Sequence, residues 1–139
     1  MIDVEFIKLR KPEKALHLCQ LAERHYLIGQ RVYVTVVDEN QALTLNQFMW
    51  NFNKGSFLPH SCDTGAVDCL DDPVVIGTRE VNPNAARILV MGRPCSLNFM
   101  RQFGKIYDFA EIYNDELNDA ARLRFKQYRS AGFNPYAEG

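Results

Sequence analysis

Apolar positions along the chain fall into short runs, alternating or continuous, separated by stretches of helical spacing. DVEFIKL near the start alternates and is rich in β-formers, which predicts a strand. From Lys11 to Ile28 the residues Leu16, Cys19, Ala22 and His25–Tyr26 recur at helical offsets, with Gln20 as a miss and Gly29 as the stop. RVYVTVV is a near-continuous β-branched run, the pattern of a strand covered on both faces. DENQALTLNQFMWNF then opens on Asp38 as a cap and carries Leu43, Phe48 and Met49 at helical offsets, with Phe48 and Met49 assigned to the core.

SFLPHSCDTGAVDCLDD reads as a polar connection punctuated by Gly and Pro. PVVIGT and AARILVMG are predicted strands, SLNFMRQFG a short helix capped by Ser96, and KIYDFAEIY a final strand. NDELNDAARLRFKQYRSAGF is a long terminal helix, opened at Asn114–Asp115 and closed by Gly132. Strands alternate with helices throughout. That order predicts a Rossmann-like, three-layer α/β/α fold: one mostly parallel sheet with helices on both faces, as a single domain over residues 1–139. Ligands of such sheets sit beyond the carboxyl ends of the strands, where the strand order reverses.

Composition narrows the class. Of the 139 residues, 47% are hydrophobic and 24% charged, which suits one globular core and excludes disorder. The formal net charge of −1 gives the whole molecule no pull toward nucleic acid or anionic lipid, so any such affinity needs a local patch. No apolar run approaches a membrane span, and MIDVEFIKLRK lacks the order of a secretion signal. The expected location is the cytoplasm, with the four cysteines as reduced thiols.

The chemistry tests are mostly negative. The first strand-to-helix turn, KLRKPEKA, has no glycine, so backbone cannot approach a pyrophosphate there, and the Walker pattern is absent. No cofactor is expected. His60, Cys62 and Cys69 share a loop, but H-x-C-x6-C matches no regular zinc knuckle, and His60 after Pro59 suits a turn hydrogen bond. No nucleophile elbow and no paired carboxylates stand out, and Cys19 on the apolar helix face reads as core.

Two features carry information. In the terminal helix Arg122, Lys126 and Arg129 fall at i, i+4 and i+7 and line one face, while Leu117, Ala121, Phe125 (or the stem of Arg124) and Tyr128 fall on the face that packs on the sheet. Such a stripe is either a solvated surface near a helix C-terminus or a binding ridge. FMWNFNKGSFLPHS sets Trp50, Phe52 and Phe57 on and beside a turn, either as the rim of a core or as a surface that a partner covers. A basic stripe beside an aromatic pocket would suit a short acidic peptide with aromatic ends, its carboxylate gripped by arginine.

The stretches GQRVYVTVVDENQALTLNQFMW, MWNFNKGSFLPH and ARLRFKQYRSAGF resemble the chi subunit of the bacterial DNA polymerase III holoenzyme clamp loader, over nearly the whole chain. The resemblance implies a Rossmann-like domain without nucleotide binding and without a catalytic site of its own. It implies a heterodimer with the psi subunit, which tethers chi to the clamp-loader complex. It also implies capture of the acidic C-terminal tail of single-stranded DNA-binding protein, ending in Asp-Phe-Pro-Phe, so that single-stranded DNA is met only indirectly. Carried over residue by residue, Trp50 walls the tail pocket, Arg122 meets the tail's acidic end with Lys126 beside it, and Phe57 and Leu58 face psi. Asn118 stands where the best-known members have a lysine, which implies weaker or more salt-sensitive tail binding. Two other classes compete with this one. A small α/β enzyme is disfavoured by the glycine-free turn, and a direct single-stranded DNA-binding module by the net charge of −1.

Overall fold

The computed structural model describes residues 1–55, 57–65 and 68–137. Ser56, Ala66 and Val67, all in the predicted polar connection, lie outside the described residues, as do Glu138 and Gly139. The elements in chain order are β1 (Asp3–Leu9), α1 (Lys14–Leu27), β2 (Val32–Thr35), α2 (Glu39–Asn51), β3 (Ser61–Cys62), β4 (Val74–Gly77), β5 (Ile88–Met91), α3 (Leu97–Met100), β6 (Lys105–Glu111), α4 (Asp115–Ser130) and β7 (Asn134–Ala137). The strands form one sheet in the order β3-β4-β2-β5-β6-β1-β7, and every pairing is parallel. This is the predicted three-layer α/β fold.

Each predicted strand and helix is present, with shifts that have local causes. The first helix begins at Lys14 rather than Lys11. Pro12 has no N–H to donate and pushes Lys11 out of the helical region. Asp38, Ser96 and Asn114 cap their helices by accepting from the backbone N–H of Gln41, Phe99 and Leu117. Gly29 and Gly132 adopt φ of +79° and +93° just past α1 and α4, conformations that a side chain would oppose.

Two strands are additional to the sequence reading. β3 is only two residues long and pairs Ser61–Cys62 with Val75–Ile76. β7 pairs Asn134–Ala137 with Asp3–Phe6 at the sheet edge, where Pro135 has no donor to offer. Neither is long enough, or regular enough, to show a period.

The sheet divides two cores. α1 and α2 bury Leu18, Cys19, Ala22, Leu45 and Met49 against Leu9, Val32, Val34 and Phe109 on one face. α3 and α4 bury Phe99, Met100, Ala121 and Tyr128 against Val4, Phe6, Tyr33 and Ile106 on the other. Phe48 departs from its core assignment. It is 39% exposed, because it falls on the flank of α2 away from Ala42, Leu45 and Met49.

Candidate functional site: a basic groove and an aromatic patch

Successive residues of β1 point to opposite faces. Val4 and Phe6 face α4, so Lys8 and Arg10 continue the same row beyond the carboxyl end of the apolar stretch. α4 sinks Ala121 and Tyr128 into this face and sets Phe125 against Phe6, with ring centroids 5.4 Å apart. Its adjoining flank carries Asn118, Arg122, Lys126 and Arg129 over the sheet. The result is a groove of about 670 Å³, floored by Phe6, Ala110, Ile112 and Ala137 and rimmed by Lys8, Arg10, Arg122, Lys126 and Arg129. Among the described residues no carboxylate lines it and no salt bridge engages any of its five cations. Arg129 lies over the Phe125 ring, 4.9 Å from its centroid.

Arg124, two residues from Arg122, is in a different situation. Its Nε donates to Asp108 Oδ2 at 2.9 Å, and its Nη2 to Asp108 Oδ1 at 3.2 Å and to the Phe109 carbonyl at 3.0 Å. Tyr128 donates its hydroxyl to the same buried carboxylate at 2.8 Å. Burial disfavours the charged guanidinium, yet its bonds to Asp108 and the Asp108 charge outweigh that and raise the Arg124 pKa. Burial and the Asp108 charge likewise push the Tyr128 phenol up. This network fixes α4 to β6, and the groove flank of α4 inherits that rigidity.

The aromatic stretch forms a second site. Trp50, at the end of α2, is 48% exposed, and Phe57 is 69% exposed. Their rings lie 5.7 Å apart, and the Trp50 ring packs at 4.3 Å on His60. His60 is held in turn, with Nδ1 2.7 Å from the Leu58 carbonyl and Nε2 3.2 Å from that of Asn46, the turn role expected of it. Leu58, expected beside Phe57 on the psi-facing surface, is instead 2% exposed and belongs to the core shared by α1 and α2, so only Phe57 of that pair is presented to a partner.

α2 packs over β3 and β4 on one face of the sheet, and α4 over β6 and β7 on the other. The structure therefore brings Asn118, Arg122 and Lys126 together but keeps Trp50 out of their groove. Trp50 joins Phe57 instead. The sequence reading missed Lys8 and Arg10, although the alternation of β1 already puts them in register with Phe6.

A separate crevice of about 580 Å³ opens where the strand order reverses, between β2 and β5, lined by Lys14, Asp38, Gln41, Phe48 and Gly92 among others. Its lysine is already engaged, donating to Glu111 at 2.7 Å and to the Gly92 carbonyl at 3.3 Å. Cys62 and Cys69 do not join His60. Cys62 donates to the Ala42 carbonyl at 3.7 Å, and Cys69 accepts from Ser61 at 3.6 Å.

A family model described as DNA polymerase III chi subunit, HolC, matches residues 1–136. The chain belongs to the DNA polymerase III chi subunit family. Among curated chi subunits, that of Escherichia coli K12 is 34% identical over 118 residues, which cover 84% of this chain and 79% of the relative. The Pseudomonas aeruginosa chi subunit is 30% identical over 135 residues, 95% of this chain and 91% of its own. The family match takes in the α4 row and the Trp50–Phe57 patch alike. Among solved structures, a complex of S. cerevisiae Dbp5 with ADP aligns with a TM-score of 0.65 at 12% identity. It covers 98% of this chain, but this chain spans only 42% of that one, so the likeness concerns the fold alone.

Proposed function

We propose that this chi-family chain is a non-catalytic adaptor of the clamp loader, working in the cytoplasm through two docking surfaces. The basic groove captures the acidic C-terminal tail of single-stranded DNA-binding protein. The Trp50–Phe57 patch docks psi, which ties the chain to the clamp-loader complex. In this way the polymerase is linked to coated single-stranded template.

The observation that carries the reading is the groove itself: five cations that no salt bridge engages among the described residues, around an apolar floor. An apolar terminal side chain finds Phe6, Ala121 and Phe125 there, and a terminal carboxylate finds guanidinium groups able to bind it in bidentate fashion. Exposed neighbouring aromatics support the second surface, since such clusters concentrate binding energy once water is excluded. Moving Trp50 from the tail site to the psi site follows from its contact with Phe57.

The test is a titration with a labelled peptide ending in Asp-Phe-Pro-Phe, against the same peptide with its terminus amidated. Micromolar binding is expected, about −8 kcal/mol, and amidation removes it. Arg122→Ala costs roughly 1.5–3 kcal/mol of that, as a hydrogen bond to a charged group does. Equal binding of both peptides sinks the carboxylate grip. An oligothymidylate that binds as tightly as the free-acid peptide favours the direct single-stranded DNA reading instead.

A further inference from the structure

The α4 row has one uncharged member, Asn118, and the position of Arg10 answers it. Phe6 and Phe125 are in contact, at 5.4 Å between ring centroids, and set a common height on β1 and α4. α4 connects two parallel strands, β6 and β7, and so runs antiparallel to β1. From Phe125 back to Asn118 the helix climbs about 10 Å, at about 1.5 Å per residue. From Phe6 on to Arg10 the chain climbs about 13 Å, at about 3.3 Å per residue. Asn118 and Arg10 therefore face each other across the groove at nearly the same level, and both line it. By the same measure Arg122 stands beside Lys8.

We infer that Arg10, with Lys8 below it, forms a second cationic wall that reads an acidic residue upstream of the captured carboxylate. This rests on the proposed capture of an acidic chain end in the groove. The level of Arg10 lies about 9 Å beyond that of Arg122. An extended peptide covers that span in two to three residues, at about 3.3 Å each. A ligand whose carboxylate sits at Arg122 and whose last apolar side chain lies on Phe6 and Phe125 thus brings the residue three positions before its terminal one to Arg10. In Asp-Phe-Pro-Phe that residue is the aspartate. The charge missing at Asn118 is then supplied from the opposite wall, and capture is not weakened by the asparagine.

Arg10 is exposed and holds no salt bridge among the described residues, so its replacement leaves the fold intact. The experiment compares free-acid peptides ending in Asp-Phe-Pro-Phe and Asn-Phe-Pro-Phe by fluorescence anisotropy, on the wild-type chain and on Arg10→Ala, Arg10→Lys and the Lys8→Ala/Arg10→Ala double variant. The wild type prefers the aspartate peptide by about 2- to 5-fold, the size of one exposed ion pair. Arg10→Ala abolishes that preference while keeping the preference for a free over an amidated terminus, the double variant behaves alike, and Arg10→Lys restores it in part. A wild type that binds the free-acid peptides without telling aspartate from asparagine, or an Arg10→Ala chain that still tells them apart, overturns the inference and leaves carboxylate capture standing. No binding of any peptide by the wild type overturns both.

Discussion

Phe57 and Leu58 are neighbours in the chain with opposite surroundings: the first is 69% exposed beside Trp50, the second 2% exposed in the core. The same class of substitution therefore has two different consequences. Leu58→Ala leaves a cavity and costs about 2–5 kcal/mol in urea denaturation. Phe57→Ala is expected to cost about 1 kcal/mol or less, the scale of one aromatic contact, yet, on the proposed docking, to abolish co-purification with psi. Stability losses of equal size in the two variants would refute this division of roles.

Trp50 is the only tryptophan in the chain, which makes its emission a reporter of one surface. A partner that covers the patch removes water from the half-exposed indole and shifts its emission to shorter wavelength. On the proposed docking, psi is expected to produce that shift. The Asp-Phe-Pro-Phe peptide, proposed to bind in the groove on the other face of the sheet, is expected not to. A shift with the peptide would return Trp50 to the tail site.

Asp108 holds both Arg124 and Tyr128, so its loss strands a partly buried guanidinium and a buried phenol. Asp108→Ala is expected to cost about 3 kcal/mol, the low end of the penalty for breaking a buried pair from one side, because the guanidinium keeps some contact with solvent. Thermal unfolding measures it. Since the same residues fix α4, the peptide titration, made well below the melting temperature, shows weakened binding as well. A change under about 1 kcal/mol would mean that α4 is held by apolar packing alone.

Glu111 ties the start of α1 to the end of β6 through its 2.7 Å contact with Lys14, and Tyr113 donates to its other oxygen at 2.8 Å. Burial raises its pKa, but these hydrogen bonds and the lysine charge outweigh burial, and the folded-state value is lowered. A carboxylate with a depressed folded pKa contributes stability above its unfolded value, about 4.3 for glutamate, and loses it as pH falls through the folded value. Glu111→Gln should flatten that acidic part of the stability curve and lower the plateau at neutral pH. A variant whose acid unfolding parallels that of the wild type would remove Glu111 from the account.

Much of the fold was legible because both periods are strong. VYVT, VVIG and ILVM are buried throughout, and buried runs of that kind need cover on both faces. The caps Asp38, Ser96 and Asn114 were legible for a local reason: a cap bonds three residues on in its own chain. The site was less so. Helical spacing separates Arg122, in the basic stripe, from Arg124, which falls toward the row of Ala121 and Tyr128, but only the position of Asp108 on β6 makes Arg124 a partly buried tie while Arg122 stays a groove cation.

The chain alone thus determined the alternation of elements, the helix ends and the row of charges on α4, since each depends on residues within a few positions of one another. Tertiary structure decided the rest. Strand order put β1 between β6 and β7, and so set Lys8 and Arg10 opposite α4 from more than a hundred residues away in sequence. It also sent α2 and α4 to opposite faces of the sheet, parting Trp50 from Arg122. No local pattern encodes such pairings, because they are settled by which strands share backbone hydrogen bonds and which faces must be covered.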